Sequence, residues 1–225
     1  MTGRMNHLQR DLLALREAIL GLGGLVEKAL EQASTSLVEK RTDLARQVLE
    51  EDERIDQCEL AIDDDCLKIL ALHQPVAGDL RLITASMKIN NDLERIGDLA
   101  VNIAERALDL ANHPPLPVPL RFERMTEATR WMLQSSLNAL VSGDADLARK
   151  VRIRDDEVDD LNREHFETLI ARMRNEPEDV EVCLDYLTSS LNLERVADLA
   201  TNIAEDVIFL VESEDVRHRA IRKKD

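Results

Sequence analysis

The feature that most constrains the fold of this chain is an internal repeat. The thirteen residues Leu93–Glu105 reappear 100 positions later as Leu193–Glu205, and ten of the thirteen positions are identical. A weaker echo relates Asp52–Asp56 to Asp155–Asp159. Self-similarity at a fixed period indicates one supersecondary unit present more than once. We therefore expect the two halves of the chain to form the same structure.

Apolar residues recur at intervals of three and four, which is the spacing of a helix with one buried face. The first stretch shows the pattern with Leu12, Leu15, Ile19, Leu22, Val26 and Leu30. Hydrophobic residues make up 44% of the chain, but aromatic residues only 2%. A β-sandwich or barrel needs more β-branched and aromatic strands and more turns, so this composition favours an all-α protein.

Weak helix breakers divide the chain into six predicted helices, at about 6–36, 42–72, 75–111, 121–141, 144–174 and 177–211. Pro75 suits the first position of the third helix. Segment 113–119 holds four of the six prolines and cannot be helical. Gly21, Gly23 and Gly24 predict a kink in the first helix or a close approach to another helix.

These boundaries predict a three-helix repeat over 1–112, a Pro-rich linker over 113–119 and a second three-helix repeat over 120–225. Short connections make consecutive helices antiparallel neighbours. The expected fold is two tandem three-helix bundles, built from six long antiparallel helices and related by a pseudo-twofold axis.

The net charge of −16 argues against binding to a nucleic-acid backbone, which requires clustered Lys and Arg. A basic C-terminal tail is the exception, either a solubilising or helix-ending cluster or a contact for an acidic partner or lipid: Arg217, His218, Arg219, Arg222, Lys223 and Lys224. No stretch is apolar enough for a membrane span, and residues 1–11 lack the apolar run of a signal peptide. We therefore expect a cytoplasmic protein whose only membrane association is through partners.

Three cysteines, Cys58, Cys66 and Cys183, form no CxxC motif, and we expect free thiols in a reducing compartment.

Acidic residues form two pairs in each repeat, and the members of a pair are four positions apart. Residues four apart share one face of a helix. Asp56 lies 19 residues before Pro75 and Glu94 lies 19 after it, so the two are level in an antiparallel hairpin. The same holds in the second repeat around position 176.5. Four carboxylates are thus predicted to meet in each half: Asp52, Asp56, Glu94 and Asp98 in the first, and Asp155, Asp159, Glu194 and Asp198 in the second.

Clustered carboxylates raise one another's pKa values, so bare anions there are unstable. Three outcomes remain open: the side chains splay into solvent, Arg95 and Arg195 neutralise them, or metal ions bind. Oxygen ligands suit hard cations, so we predict divalent or ferric ions (Fe, Mn, Mg, Zn or Ca), with Asn102 and Asn202 as further ligands. Solvated acidic pairs on a purely structural helical scaffold are the simpler alternative.

Catalytic motifs give no signal in this sequence. No histidine stands in an ExxH or HExxH setting, and no phosphate-binding loop, nucleophile elbow or dinucleotide fingerprint is present. We therefore predict that the protein is not an enzyme.

The duplicated segment Leu-Glu-Arg-[Ile/Val]-x-Asp-Leu-Ala-x-Asn-Ile-Ala-Glu, together with Gln74–Arg81, resembles the PhoU family of phosphate-transport accessory proteins. The resemblance covers essentially the whole chain and implies paired three-helix bundles whose E(D)xxxD motifs bind multinuclear metal clusters in some members. In this chain those motifs are Asp52/Asp56, Glu94/Asp98, Asp155/Asp159 and Glu194/Asp198. One local departure is Asn192, which stands where the first repeat has Asp92.

The function implied by this resemblance is negative regulation of the phosphate-starvation response and of high-affinity phosphate uptake. The expected partners are the ATPase subunit of a phosphate ABC transporter and a sensor histidine kinase, between which the protein would act as an adaptor. Exposed helix faces are consistent with a homodimer. The alternative is a metal-carboxylate protein for metal storage or metal-assisted hydrolysis, which would also need a general base beside an open coordination position.

Overall fold

The protein is described here as a computed structural model covering residues 7–213. Six long α-helices account for nearly all of this range, and no strand occurs within it. Their bounds are α1 His7–Glu39, α2 Thr42–His73, α3 Ala77–Ala111, α4 Phe122–Ser142, α5 Ala145–Asn175 and α6 Val180–Glu212. The prediction of an all-α protein with six helices is therefore confirmed.

Each half is a bundle of three helices that pack against one another, α1–α3 in the first half and α4–α6 in the second. The buried seams are aliphatic, as the 3/4 periodicity predicts. Pairing within each half is antiparallel: in the first, Lys28 on α1 bonds Glu51 on α2, and Gln32 bonds Gln47 four residues earlier. Residue numbers therefore rise along α1 while they fall along the facing side of α2.

The two halves join along α3 and α6, with a smaller contact between α1 and α4. Two ion pairs cross the larger contact. Lys88 on α3 lies 3.1 Å from buried Asp206 on α6, and Arg106 lies 3.1 Å from buried Asp185. These pairs sit in opposite order along the two helices, so α3 and α6 are also antiparallel.

The three glycines of α1 do not break it, because the helix runs continuously from His7 to Glu39. The alternative expectation, close helix approach, is confirmed at Gly23. A Cβ atom placed there would lie 2.9 Å from Leu137 Cδ2 on α4, whereas one at Gly21 or Gly24 would meet nothing within 4 Å. Gly23 is therefore the position that lets α1 approach α4.

Pro75 is not the first residue of the third helix, as the sequence suggested. Helix α3 begins at Ala77, and Val76 before it is extended, with φ −127° and ψ 160°. Gln74 takes a left-handed conformation and its N–H donates to the Leu70 carbonyl, which ends α2. Pro75 thus lies in the turn between a left-handed helix end and an extended residue. The second hairpin turns differently, through a 3-10 turn over Pro177–Asp179.

A buried histidine anchors the end of the Pro-rich segment to the second half. His165 is 1% exposed and accepts a hydrogen bond from the backbone N–H of Arg121 through Nε2 at 2.9 Å. Its Nδ1 therefore carries the proton and donates to the Ser190 hydroxyl at 3.0 Å. The ring stacks on Phe122 with the centroids 4.6 Å apart. Helices α4, α5 and α6 are held together at this point.

The predicted basic tail, residues 217–224, lies outside the described residues. Within residues 7–213 the three cysteines are free thiols, as expected, and burial raises the pKa of Cys66 to about 11. No helix in this range is long and apolar enough to span a membrane.

Candidate metal-binding carboxylate clusters

The first cluster lies where α2 and α3 run side by side. Asp52 is half-buried, and its pKa is raised first by burial and then by the negative charges of Asp56 and Asp98. Burial and the charges of Asp98, Glu59 and Asp56 raise the pKa of Glu94. The four acids predicted to be level in the hairpin therefore lie within electrostatic range of one another.

The second cluster repeats this arrangement between α5 and α6. Burial, followed by the charges of Asp159 and Asp198, raises the pKa of Asp155 to about 7. The pKa of Glu194 is raised by burial and by the same two charges. The exposure pattern also repeats: in each half the first Asp and the Glu are half-buried, while the second Asp of each pair is exposed. Both clusters therefore open to solvent from a partly buried base.

One buried oxygen in each cluster is left without a partner. Asp52 Oδ1 and Asp155 Oδ1 are buried and accept no hydrogen bond. These residues occupy equivalent positions in the two halves. A buried carboxylate oxygen without a partner is costly and is explained by a water or a cation that belongs there. The duplication of this feature points to a role shared by both clusters.

Arginine does not neutralise the clusters. Arg95 lies 3.8 Å from Asp92, outside the cluster, and Arg154 lies 3.1 Å from Glu157. Arg95 and Arg195 act only at longer range, where each lowers the pKa of the preceding glutamate somewhat. Within residues 7–213 no Lys, Arg or His forms an ion pair with any of the eight cluster acids. Of the three outcomes that the sequence left open, neutralisation by arginine is therefore not the one that the structure shows.

Within residues 7–213 the acids of each cluster are not arranged around a common centre. In the described part of the chain no three His, Cys, Asp or Glu side chains are placed so that they could hold a metal ion without moving. Four like charges repel when no cation lies between them, which favours such splaying. The donor set itself fits a hard cation, because it consists only of carboxylate oxygens and includes one unpartnered buried oxygen in each half.

Close helix packing brings the carboxylates together in both halves. A Cβ atom at Gly97 would lie 3.1 Å from Ile55 Cγ2, so α2 approaches α3 at the level of the first cluster. Both residues differ at the equivalent positions of the second half. Ala197 stands in place of the glycine and is larger, and Val158 stands in place of the isoleucine and is smaller. Total side-chain volume at this crossing is thereby roughly kept, as a well-packed core requires.

Neither of the two asparagines predicted as further ligands is buried. Asn102 and Asn202 are both exposed, and Asn202 lines a cavity of about 430 Å³ between α3 and α6, together with Lys88 and Asp92. It is Thr201 that reaches the second cluster. Its hydroxyl lowers the pKa of Asp155 somewhat, although it lies outside strict hydrogen-bond geometry.

Glu59 is a cluster neighbour that the sequence pattern missed. Its pKa is raised by burial and by the charges of Asp63 and Asp56. Spacing carried a signal, since Glu59 lies three residues after Asp56 and so shares its helix face. The second half has Asn162 at the equivalent place, where its side-chain oxygen accepts a hydrogen bond from Ser190 at 2.9 Å. This glutamate is therefore a feature of the first cluster and not of the second.

Known proteins match the chain over nearly its whole length. The profile of the PhoU domain family matches residues 19–107 and 122–207. The phosphate-specific transport system accessory protein PhoU homolog of Pseudomonas putida is 39% identical over 214 residues, covering 95% of this chain and 84% of the relative. The homolog of Aquifex aeolicus is 36% identical over 217 residues, covering 96% and 98%.

Solved structures agree with these matches. The crystal structure of PhoU from Pseudomonas aeruginosa superposes with a TM-score of 0.90 at 37% identity, covering 92% of this chain and all of the other. The phosphate transport system regulatory protein PhoU of Streptococcus pneumoniae gives 0.85 at 29% identity, covering 93% and 99%. Two tandem three-helix bundles are thus a fold shared with crystallised proteins.

Proposed function

Because this chain belongs to the PhoU family, we propose that it is an accessory regulatory protein of a phosphate-specific transport system. The observation that carries the proposal is the match of both repeats, residues 19–107 and 122–207, with relatives of that name covered over 84% and 98% of their length. A chain matching only one repeat would share a building block, whereas this one shares the complete arrangement.

The specific role we propose is negative regulation of the phosphate-starvation response and of high-affinity phosphate uptake. The protein acts in the cytoplasm as an adaptor, with the ATPase subunit of the transporter and a sensor histidine kinase as partners. It acts by binding rather than by catalysis. A role in binding is supported by the six helices of 21 to 35 residues, because they form two three-helix bundles with extended surfaces.

Metal ions form part of the proposal. The first cluster would hold them through Asp52, Asp56, Glu94 and Asp98, and the second through Asp155, Asp159, Glu194 and Asp198. A bound cation supplies positive charge that removes the repulsion between these acids. The unpartnered oxygens of Asp52 and Asp155 support this assignment. The protein's own contribution is to hold α2 against α3, and α5 against α6, so that the acids remain level.

A deletion strain tests the regulatory role. We expect a reporter of the starvation response to be derepressed in high phosphate after deletion of the gene, and repressed again when the full chain is supplied. A chain with Asp98→Asn and Asp198→Asn should restore repression less well than one with Glu167→Gln and Glu181→Gln, which loses the same two charges elsewhere. Unchanged reporter expression in the deletion strain would refute the proposal.

A metal-dependent hydrolase is the second candidate. It is favoured by one observation, the all-carboxylate donor set with one unpartnered buried oxygen in each half, because such oxygens suit a hard cation that activates water. Turnover of a phosphate ester that depends on Mn²⁺ and is abolished by Asp98→Ala would support it. Absence of turnover at saturating Mn²⁺ would refute the hydrolase, and the regulatory role would be the one remaining candidate.

A further inference from the structure

A third acidic site lies away from the two carboxylate clusters, in the groove between α1 and α4. Gly23 and Leu137 hold these helices in close contact, and Glu27 accepts a hydrogen bond from Gln134 at 2.8 Å just beyond. One turn further, Arg130 pairs with Glu31. Glu27, Gln134 and Arg130 line a cavity of about 420 Å³ that lies along the seam. Its size is within the usual range for small-molecule pockets.

Glutamates from both helices line this cavity. Glu39 from α1 and Glu123 and Glu127 from α4 form no ion pair within residues 7–213. The only basic residue in the described lining is Arg130, whose charge is already used by Glu31. The cavity lining is thus negative overall, which favours a ligand that carries positive charge.

An acidic lining alone does not make a site, but a buried hydroxyl also faces this cavity. Ser34 is 2% exposed, lines the cavity and makes no hydrogen bond through Oγ. A serine in a helix ordinarily bonds the carbonyl one turn back, as Ser36 does with Ala33 at 2.7 Å. Leaving the Ser34 hydroxyl without a partner costs stability unless a ligand or water completes it.

The other wall is apolar. Trp131, the only tryptophan of the chain, lines the cavity together with Val38. The guanidinium of Arg154 lies 5.1 Å from the Trp131 ring centroid, so a second compact cation over the ring would be repelled. The indole therefore offers surface for methylene groups, while the positive charges of the ligand belong at the glutamates.

The charges are spread along the groove instead of meeting at one point. Glu27 and Glu39 are twelve residues apart on α1, which corresponds to about 18 Å along the helix. Glu123 and Glu127 are one turn apart, or about 6 Å. A flexible cation with several charges separated by short methylene chains matches this spacing better than a metal ion does.

We propose that the α1–α4 groove binds an aliphatic polyamine, with its ammonium groups at Glu39, Glu123 and Glu127, one of them donating to Ser34 Oγ, and its methylene chain against Trp131. This inference is independent of the proposed regulatory function and of the metal clusters. It adds a ligand class to a face of the molecule that the carboxylate motifs do not reach.

Trp131 provides the assay, because the fluorescence of the full-length protein reports on this groove alone. We expect spermidine to produce a saturable change in wild type. Glu123→Gln with Glu127→Gln should weaken binding about tenfold or more, while the matched control Glu167→Gln with Glu181→Gln, on α5 and α6, should bind as wild type does. Ser34→Ala should weaken binding a few-fold without lowering the melting temperature, since its hydroxyl has no partner to lose.

Calorimetric titration provides a second measurement that does not depend on fluorescence. Three results would overturn the proposal. They are no saturable spermidine binding by either method, equal weakening in the groove variant and its control, and displacement of spermidine by Mg²⁺ at matched ionic strength. Tight binding of a lysine-rich peptide with no binding of spermidine would instead assign the groove to a protein segment, and would also refute the polyamine proposal.

Discussion

Replacing Asp155 with asparagine is expected to stabilise the metal-free protein at alkaline pH and to change little at acidic pH. The carboxyl has a pKa of about 7 in the folded chain against an ordinary value of 3.8, chiefly because of burial and then because of Asp159 and Asp198. The folded state therefore binds this proton more tightly than the unfolded state does. Its contribution to stability is present below about pH 4 and is lost as the pH rises to about 7.

The size of the effect follows from the same two pKa values. The difference between 3.8 and about 7 corresponds to about 4 kcal/mol for a fully desolvated group. Asp155 is only half-buried, so solvent screening reduces this to about 2 kcal/mol. In a chain of 225 residues that free energy shifts the melting temperature by about 4 to 8 °C.

Urea unfolding followed by circular dichroism, in the presence of a chelator, measures this directly. Asp155→Asn should exceed wild type by about 2 kcal/mol at pH 8 and by much less at pH 4. Glu167→Gln removes an exposed acid from the same helix and should show no such pH dependence. A gain that is the same at both pH values would refute the assignment of a raised pKa to Asp155.

Three further substitutions test the packing that positions the clusters. His165→Ala should cost about 3 kcal/mol in urea unfolding, because it leaves a buried cavity and an unpaired backbone N–H. Gly97→Ala should cost about 1 kcal/mol by crowding Ile55, and Ile55→Val in the same chain should recover most of that loss. If the costs of the two substitutions simply add up, the packing argument is contradicted. Arg106→Met should lower stability by about 2 kcal/mol, since Asp185 then stays buried without its cation; a neutral effect would show that water replaces the arginine.

The helical hairpins and the level of the acids could be predicted from the sequence, because both follow from local periodicity. Equal distances from Pro75 fix which residues of α2 and α3 face each other, whatever the turn does in detail. The turn itself was not predictable at residue level: Gln74 takes a left-handed conformation and α3 starts at Ala77, two residues after the proline. A hairpin register tolerates such a shift, so the acids of α2 and α3 still lie within electrostatic range of one another.

Other features depend on how the halves pack, which periodicity does not determine. Asn202 follows Asp198 by one turn, and it also lines the cavity between α3 and α6, which its spacing does not indicate. Thr201 lies beside Asp155 because of where the α5–α6 contact falls on the helix. The α1–α4 groove likewise depends on a close approach between Gly23 and Leu137, which are 114 residues apart in sequence. No local pattern indicates that contact.

Equilibrium dialysis against Mn²⁺, with elemental analysis of the retained metal, tests the central claim most directly. The account predicts saturable binding to wild type in both halves. It also predicts that Asp52→Asn with Asp98→Asn removes only the first-half share, and that Asp155→Asn with Asp198→Asn removes only the second. Wild-type protein that retains no metal, or loses none of it in either variant, would contradict the claim that these carboxylates are cation sites.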